Sequence, residues 1–393
     1  MIHRILDLLK DDHSFFLLGA RGTGKSTLIK TEIPQTKILL EIDLLSPKQE
    51  QAFLRDPSRL ELLLAPIAHK KGWVVIDEIQ KVPALLNVVH SLIEKTQLRF
   101  ALTGSSARKL RKIGVNLLAG RASVHHLFPL THLELAKRFN LLDALEFGAL
   151  PKIFSLKSKA LKRQYLSAYA DTYLREEIRI EQLVKKLEPF MAFLEVSAQS
   201  NGEIVNFSKI AFDCGVDTKT VQTYFQILID THAGFFLKPF LGSVRKRERH
   251  NPKFYFSDLG AVRALGKKLT LPLIEATSEY GRAFEHFIVC EILRLSSYRR
   301  NDFELFYWRG ERDAEVDLII KRPGKSMILA EIKSSRVFDP KACATLERVG
   351  QSFKGAKDSI KMILIYTGED LLKVGEVAVM PWQKALVQIL DGR

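Results

Sequence analysis

"GARGTGKST", residues Gly19 to Thr27, decides how this chain is read. The run has the phosphate-loop spacing G-x-x-x-x-G-K-[ST], with Gly19, Gly24, Lys25 and Ser26 at the fixed positions. Glycines there let backbone N–H groups close around a β-phosphate, at a helix N-terminus that already favours anions. Ala20, Arg21, Gly22, Thr23 and Thr27 complete the expected cradle for ATP. Lys25 should reach the β and γ oxygens, and the Ser26 hydroxyl should sit on Mg2+. The context fits, because the apolar "SFFLLG" before the loop reads as a strand and "KSTLIKTEI" after it as a helix.

Working outward, "KILLEID", "WVVIDE", "RFALTGS" and "SVHHLFPL" are further short apolar runs. Near-continuous apolar strands separated by amphipathic stretches predict a parallel sheet covered by helices on both faces. "WVVIDE" puts Asp77 and Glu78 at a strand's C-terminal end, where open α/β sheets bind ligands. Asp77 is expected to hold the Mg2+ shell, and Glu78 to polarise the attacking water. "RFALTGSS" ends in Thr103, Ser105 and Ser106. Thr103 is a candidate to sense the γ-phosphate, whereas Ser105 either shares that task or caps the next helix.

The chain of 393 residues is long enough for two to four domains. With 46% hydrophobic and 27% charged residues it has a globular composition rather than a disordered one. No apolar run approaches the ~18 residues of a membrane span, so a cytoplasmic protein without a membrane partner is expected. Cys214, Cys290 and Cys343 have no metal-ligand spacing and read as reduced core thiols. The net charge of +15 is not confined to a tail and favours a polyanionic partner.

Residues 133–196 read as mainly helical. The following segment, "NFSKIAFDCGVDTKTVQTYFQILID", has the order of a helix-turn-helix. A short helix with Ile210 and Ala211 inward is broken at Gly215, and Asp217 or Thr218 caps a second helix. Val221, Tyr224, Phe225 and Leu228 then face the core. Lys219, Thr220, Gln222 and Thr223 face outward, and these are residue types that meet phosphates and base edges. "FFLKPF" and "KFYFSD" follow as a strand pair joined by a basic segment with Arg245, Lys246, Arg247 and Arg249. That order predicts a winged helix whose wing grips DNA phosphates.

Near the end, "EVDLIIKR" and "MILAEIKSS" read as a hairpin joined at "PGK". Alternation puts Glu331 and Lys333 on one face and Ile332 on the other, with Asp317 near the same end of the partner strand. Glu285 lies on the preceding helix, in "EYGRAFEHFIVCEILRL". Thirteen residues separate Asp317 from Glu331, and this D-x13-E-x-K spacing is that of PD-(D/E)XK nucleases. Asp317 and Glu331 are candidate Mg2+ ligands, Glu285 a further ligand or base, and Lys333 an orienter of water.

Taken together, "GARGTGKST", "WVVIDEIQKVP", "LTGSS", "LLAGR", "FGALPKIF", "GRAFEHF", "EVDLII" and "EIKSS" make the whole chain resemble a family of prokaryotic AAA ATPases. Their C-terminal half is a domain of unassigned function related to PD-(D/E)XK nucleases. The resemblance implies an α/β fold in four parts. These are an AAA+ P-loop core at 1–132, a helical lid at 133–196, a winged helix at 197–262 and a nuclease-like module at 263–393. It also implies a homo-oligomer, with a hexamer favoured. In such ATPases the slot held here by Arg121 sends an arginine finger into the neighbouring subunit's site. The alternative for Arg121 is a surface residue compensating a helix C-terminus. The resulting expectation is an ATP-driven motor on duplex or branched DNA, by analogy with branch migration, whose last module cuts or grips DNA. A nucleotide-switched regulator or a toxin-like ATPase, with an unidentified protein partner, is the competing class.

Overall fold

Five of the apolar runs become five parallel strands: β1 (Ser14–Leu18), β2 (Ile38–Asp43), β3 (Gly72–Asp77), β4 (Leu98–Gly104) and β5 (Ala122–His126). In this computed structural model they form one sheet in the order β2-β3-β4-β1-β5, every neighbouring pair parallel. The structure describes residues 2–10, 13–106, 120–173, 187–240, 250–310, 314–353 and 360–391. They divide into two compact units, Met1–Leu130 with Asp230–Ala233, and Thr131–Ile229 with Gly234–Arg393.

In the first unit, helix α1 (Lys25–Glu32) follows β1, and helix α2 (Leu85–Lys95) lies on one face of the sheet. Leu85, Leu86 and Val89 of α2 are fully buried against Phe16, Val74, Ile76, Phe100 and Leu102 of the strands. Strands buried on both faces explain why the apolar runs are almost unbroken. The chain leaves β1 between β4 and β5, so the loop from Gly19 opens at the C-terminal edge of the sheet. Gly19 is also a packing necessity. A Cβ there would lie 2.3 Å from the Leu127 carbonyl oxygen.

The second unit holds a mixed sheet of eight strands. They are β6 (Gly234–Pro239), β7 (Lys253–Phe256), β8 (Glu304–Arg309), β9 (Glu315–Lys321), β10 (Met327–Lys333), β11 (Ile360–Tyr366), β12 (Leu372–Val374) and β13 (Val377–Pro381). Their order is β12-β13-β11-β10-β9-β8-β6-β7. β6 and β7 pair antiparallel, and β6 continues parallel to β8 through Lys238–Phe306 and Pro239–Tyr307. The sheet therefore crosses the boundary expected at 262–263. The reason is the far end of β6, where the Phe240 N–H donates to the Tyr307 carbonyl at 2.6 Å.

Ahead of this sheet come helices α3 (Phe207–Asp213) and α4 (Thr218–Asp230). Ile210 and Ala211 are buried on α3, and Val221, Tyr224, Phe225 and Leu228 on α4. Gly215 turns between the helices at φ 64°. The Asp217 carboxylate caps α4, accepting from the Thr220 N–H and the Thr220 hydroxyl, each at 2.8 Å. Those hydrogen bonds hold the Asp217 carboxyl below the usual range.

Helix α5 (Ser278–Tyr298) covers the sheet, its inner face including Phe284, Ile288 and Ile292. Gly148, in "FGALPKIF", sits against the buried Asp258, where a Cβ would meet Asp258 Oδ1 at 2.1 Å. Asp258 accepts from the Ala149 N–H at 2.7 Å, tying the helical segment to the end of β7. Burial pushes the Asp258 carboxyl up. The three cysteines are buried free thiols. Among the described residues no helix is long and apolar enough to cross a membrane.

Candidate functional site

Three strands deliver the nucleotide site. β1 runs into the loop, and α1 begins behind Gly24, whose φ of 94° suits glycine alone. No side chain caps α1, so its first N–H groups are left for an anion. The buried Thr23 hydroxyl donates to the Ala20 carbonyl at 2.7 Å and keeps the loop turned. Arg21, Ser26 and Thr27 lie on its exposed side. From outside the motif, Arg4 donates to the carbonyls of Thr23 at 3.0 Å and Phe128 at 2.6 Å. Sequence reading missed Arg4, because only the folded sheet brings residues 4 and 128 to the loop. Lys25 is buried and donates to the Gly19 carbonyl at 2.9 Å and the Ala20 carbonyl at 3.4 Å.

Asp77 and Glu78 sit at the tip of β3, as the sequence places them. The Ser26 hydroxyl donates to Asp77 Oδ2 at 2.7 Å. Thr103, at the tip of the adjacent β4, donates to the other Asp77 oxygen and accepts from the Glu78 N–H at 3.1 Å. The expected Mg2+ fits this arrangement. A hydroxyl and one carboxylate side by side suit an ion that takes its remaining ligands from phosphates and water.

Glu78 adopts φ 58°, the left-handed region that a glutamate enters only when its surroundings hold it there. Its Oε2 accepts from the Ser105 hydroxyl at 2.9 Å, the Ser105 N–H at 3.3 Å and the Gln80 amide. Its Oε1 lies 4.0 Å from Lys25 Nζ. Ser105 therefore has a role that neither expectation covered: it restrains Glu78. Of the helix it was expected to cap, "ARKLRKIGVNLLAG" at 107–120, residues 107–119 lie outside the described residues. Gln80 was also missed, although "IDEIQ" places it two residues beyond Glu78. Gly104 makes room for it, since a Cβ there would lie 2.9 Å from Gln80 Oε1.

Arg121 pairs with Glu94 of α2 in its own chain, and both side chains are substantially exposed. An exposed pair of this kind is cheap to break, about 0–1 kcal/mol. On α4, Lys219, Gln222 and Thr223 are exposed and Thr220 is half-buried, so these four residues do share the outer face. Arg245, Lys246, Arg247 and Arg249 lie outside the described residues.

The C-terminal residues gather as the spacing predicts, but not as a metal centre. β9 and β10 pair antiparallel through Leu318–Ala330, and the ladder stops before Asp317. Asp317 Oδ2 instead accepts the Ile332 N–H at 2.8 Å. Burial, then the charges of Glu331 and Glu285, push the Asp317 carboxyl well above the usual range. Burial also raises Glu331, against the pull of Lys333. Lys333 Nζ lies 2.6 Å from Glu331 Oε1. Burial disfavours the Lys333 charge, but Asp317 and Glu331 outweigh it and hold its pKa up.

A second lysine, unread in the sequence, is Lys253 of β7. It is buried, with Nζ 2.7 Å from Glu315 Oε1 and 3.3 Å from Glu285 Oε1. Among the described residues no group of three or more His, Cys, Asp or Glu is arranged to hold a metal ion. An Mg2+ ion at Asp317 and Glu331 would have to compete with the Ile332 N–H on the first carboxylate and with Lys333 on the second.

Comparison with known proteins finds three family matches along the chain. Residues 11–136 match an AAA domain model, 138–272 a domain of unknown function (DUF8612) and 280–385 another (DUF4143). An uncharacterized protein of Mycobacterium tuberculosis is 26% identical over 313 residues, 79% of this chain and 68% of the relative. An uncharacterized protein of Haemophilus influenzae is 24% identical over 320 residues, 75% of this chain and 77% of the relative. Among solved structures, Aeropyrum pernix ORC2 in its ADP form is 13% identical with a TM-score of 0.35, covering 66% of this chain and 89% of that one. The Aeropyrum pernix ORC1 protein in complex with DNA is 12% identical at a TM-score of 0.30, covering 65% and 86%. Likenesses that loose carry no functional argument. The site geometry and the domain match lead to one statement: this chain carries an AAA domain in its first third, followed by two segments of unknown function.

Proposed function

We propose that the protein is a Mg2+-dependent ATPase that acts on duplex or branched DNA and works as a homo-oligomer, with a hexamer favoured. The observation that carries the ATPase reading is the 2.7 Å contact of the Ser26 hydroxyl with Asp77, made beside a restrained Glu78. Ser26 and Asp77 would hold the metal there, and it would neutralise charge developing on the transferred group.

The chain's own residues supply the rest. Lys25 turns from the Gly19 and Ala20 carbonyls to the phosphates. Thr103 fixes Asp77 and the Glu78 backbone together. Glu78, freed from Ser105 and Gln80, orients the attacking water as general base. Arg121 leaves Glu94 to reach a neighbouring subunit's site, which makes hydrolysis depend on assembly.

The DNA reading is supported by the net charge of +15 and by Lys219, Gln222 and Thr223 exposed together on α4. The C-terminal sheet is read as a grip and not as a cutter, since its carboxylates face lysines. Phosphate release should be measured alone and with single-stranded, duplex, forked and four-way DNA. A several-fold stimulation by duplex or branched DNA is expected. Equal rates with and without every DNA would move the reading to a nucleotide-switched regulator.

A further inference from the structure

The C-terminal carboxylates raise a question of charge. Glu285, Glu315, Asp317 and Glu331 lie within electrostatic reach of one another on α5, β9 and β10. Packing carboxylates together in a poorly solvated place is unfavourable unless cations neutralise them. A bound divalent ion is one solution. The structure holds another.

Lys253 and Tyr255 project from the same face of β7, two residues apart, and both reach Glu285 Oε1, at 3.3 Å and 2.7 Å. The same ammonium meets Glu315 Oε1 at 2.7 Å and stands 5.6 Å from the centre of the Tyr307 ring. At 6% side-chain exposure it has exchanged most of its water for these partners. On the other side, Lys333 holds Glu331, and the Ile332 N–H takes one oxygen of Asp317. One oxygen of each of the four carboxylates is therefore turned toward a protein hydrogen.

We propose that Lys253 is a built-in substitute for a divalent cation, and that it keeps this carboxylate cluster from binding one. The β6–β8 pairing gives the substitution its structural basis, because it joins the strand pair carrying Lys253 to the sheet carrying the acids. A methionine at 253 would keep the length of the side chain and remove the charge. The acids left behind would then recruit a cation from solution.

The test is Mn2+ binding to the full-length, nucleotide-free protein, followed by the electron paramagnetic resonance signal of free Mn2+. Wild type and Asp317→Asn are expected to give the same isotherm, since no ion is bound at Asp317. Lys253→Met should gain a site at least tenfold tighter than any in wild type, and Lys253→Met with Asp317→Asn should lose it again. Lys253→Arg, which retains the charge, should behave as wild type. A wild-type site that disappears in Asp317→Asn overturns the proposal, whether or not Lys253→Met folds. A folded Lys253→Met that gains no site overturns it as well.

Discussion

Single residues carry the chemistry here, and the informative ones are those whose partners come from distant sequence. Asp77 and Glu78 were legible because a strand ending in two acids beside a phosphate loop has few other uses. Ser105 and Gln80 were not, since their grip on Glu78 depends on β4 lying next to β3. His286 shows the same limit. It is fully buried, its Nδ1 is 2.8 Å from the Asn201 amide, and its Nε2 has no hydrogen-bond partner among the described residues. Burial, with a smaller push from Arg294, lowers its pKa to about 3. The folded protein therefore keeps His286 neutral, while the unfolded chain protonates it below about pH 6.5. The stability it contributes is complete above that value and declines as pH falls toward the folded value. From pH 6.5 to 5 wild type should lose up to about 2 kcal/mol more than His286→Gln. Urea unfolding at several pH values checks this, and equal pH slopes would refute the buried neutral state.

At the scale of elements, periodicity told the most where one face is wet. The outer face of α4 follows from its spacing alone, and Lys219, Gln222 and Thr223 are exposed as that spacing requires. Helix Trp382–Asp391 went unread because "VAVMPWQKALVQIL" runs from strand to helix without a polar break. The pairing of β6 with β8 was also hidden, since more than sixty residues separate them and nothing local specifies a register. If α4 and the basic segment after β6 meet DNA phosphates, those contacts should act without regard to sequence. Neutralising Arg245, Lys246, Arg247 and Arg249 together should weaken every duplex about equally. The slope of log affinity against log salt should flatten by roughly 0.9 for each phosphate that the protein no longer neutralises. Adding Lys219→Ala should flatten it further. A slope unchanged in fluorescence-anisotropy titrations would assign that segment to protein contacts.

In the whole molecule, a first unit that matches an AAA domain is followed by a second unit whose acidic cluster faces Lys253 and Lys333. If Arg121 acts across subunits, mixing Arg121→Ala with Glu78→Gln should restore hydrolysis. Some interfaces then pair an intact arginine with an intact site. No recovery at any ratio, in mixtures shown to assemble, would leave Arg121 as the in-chain partner of Glu94. The central claim is that Asp77 and Glu78 serve ATP hydrolysis, and it is tested most directly by turnover and nucleotide affinity measured together in Glu78→Gln. ATP should bind about as tightly as to wild type, with phosphate release slowed by about 100-fold or more, as loss of a general base gives. Hydrolysis by Glu78→Gln at the wild-type rate would contradict it.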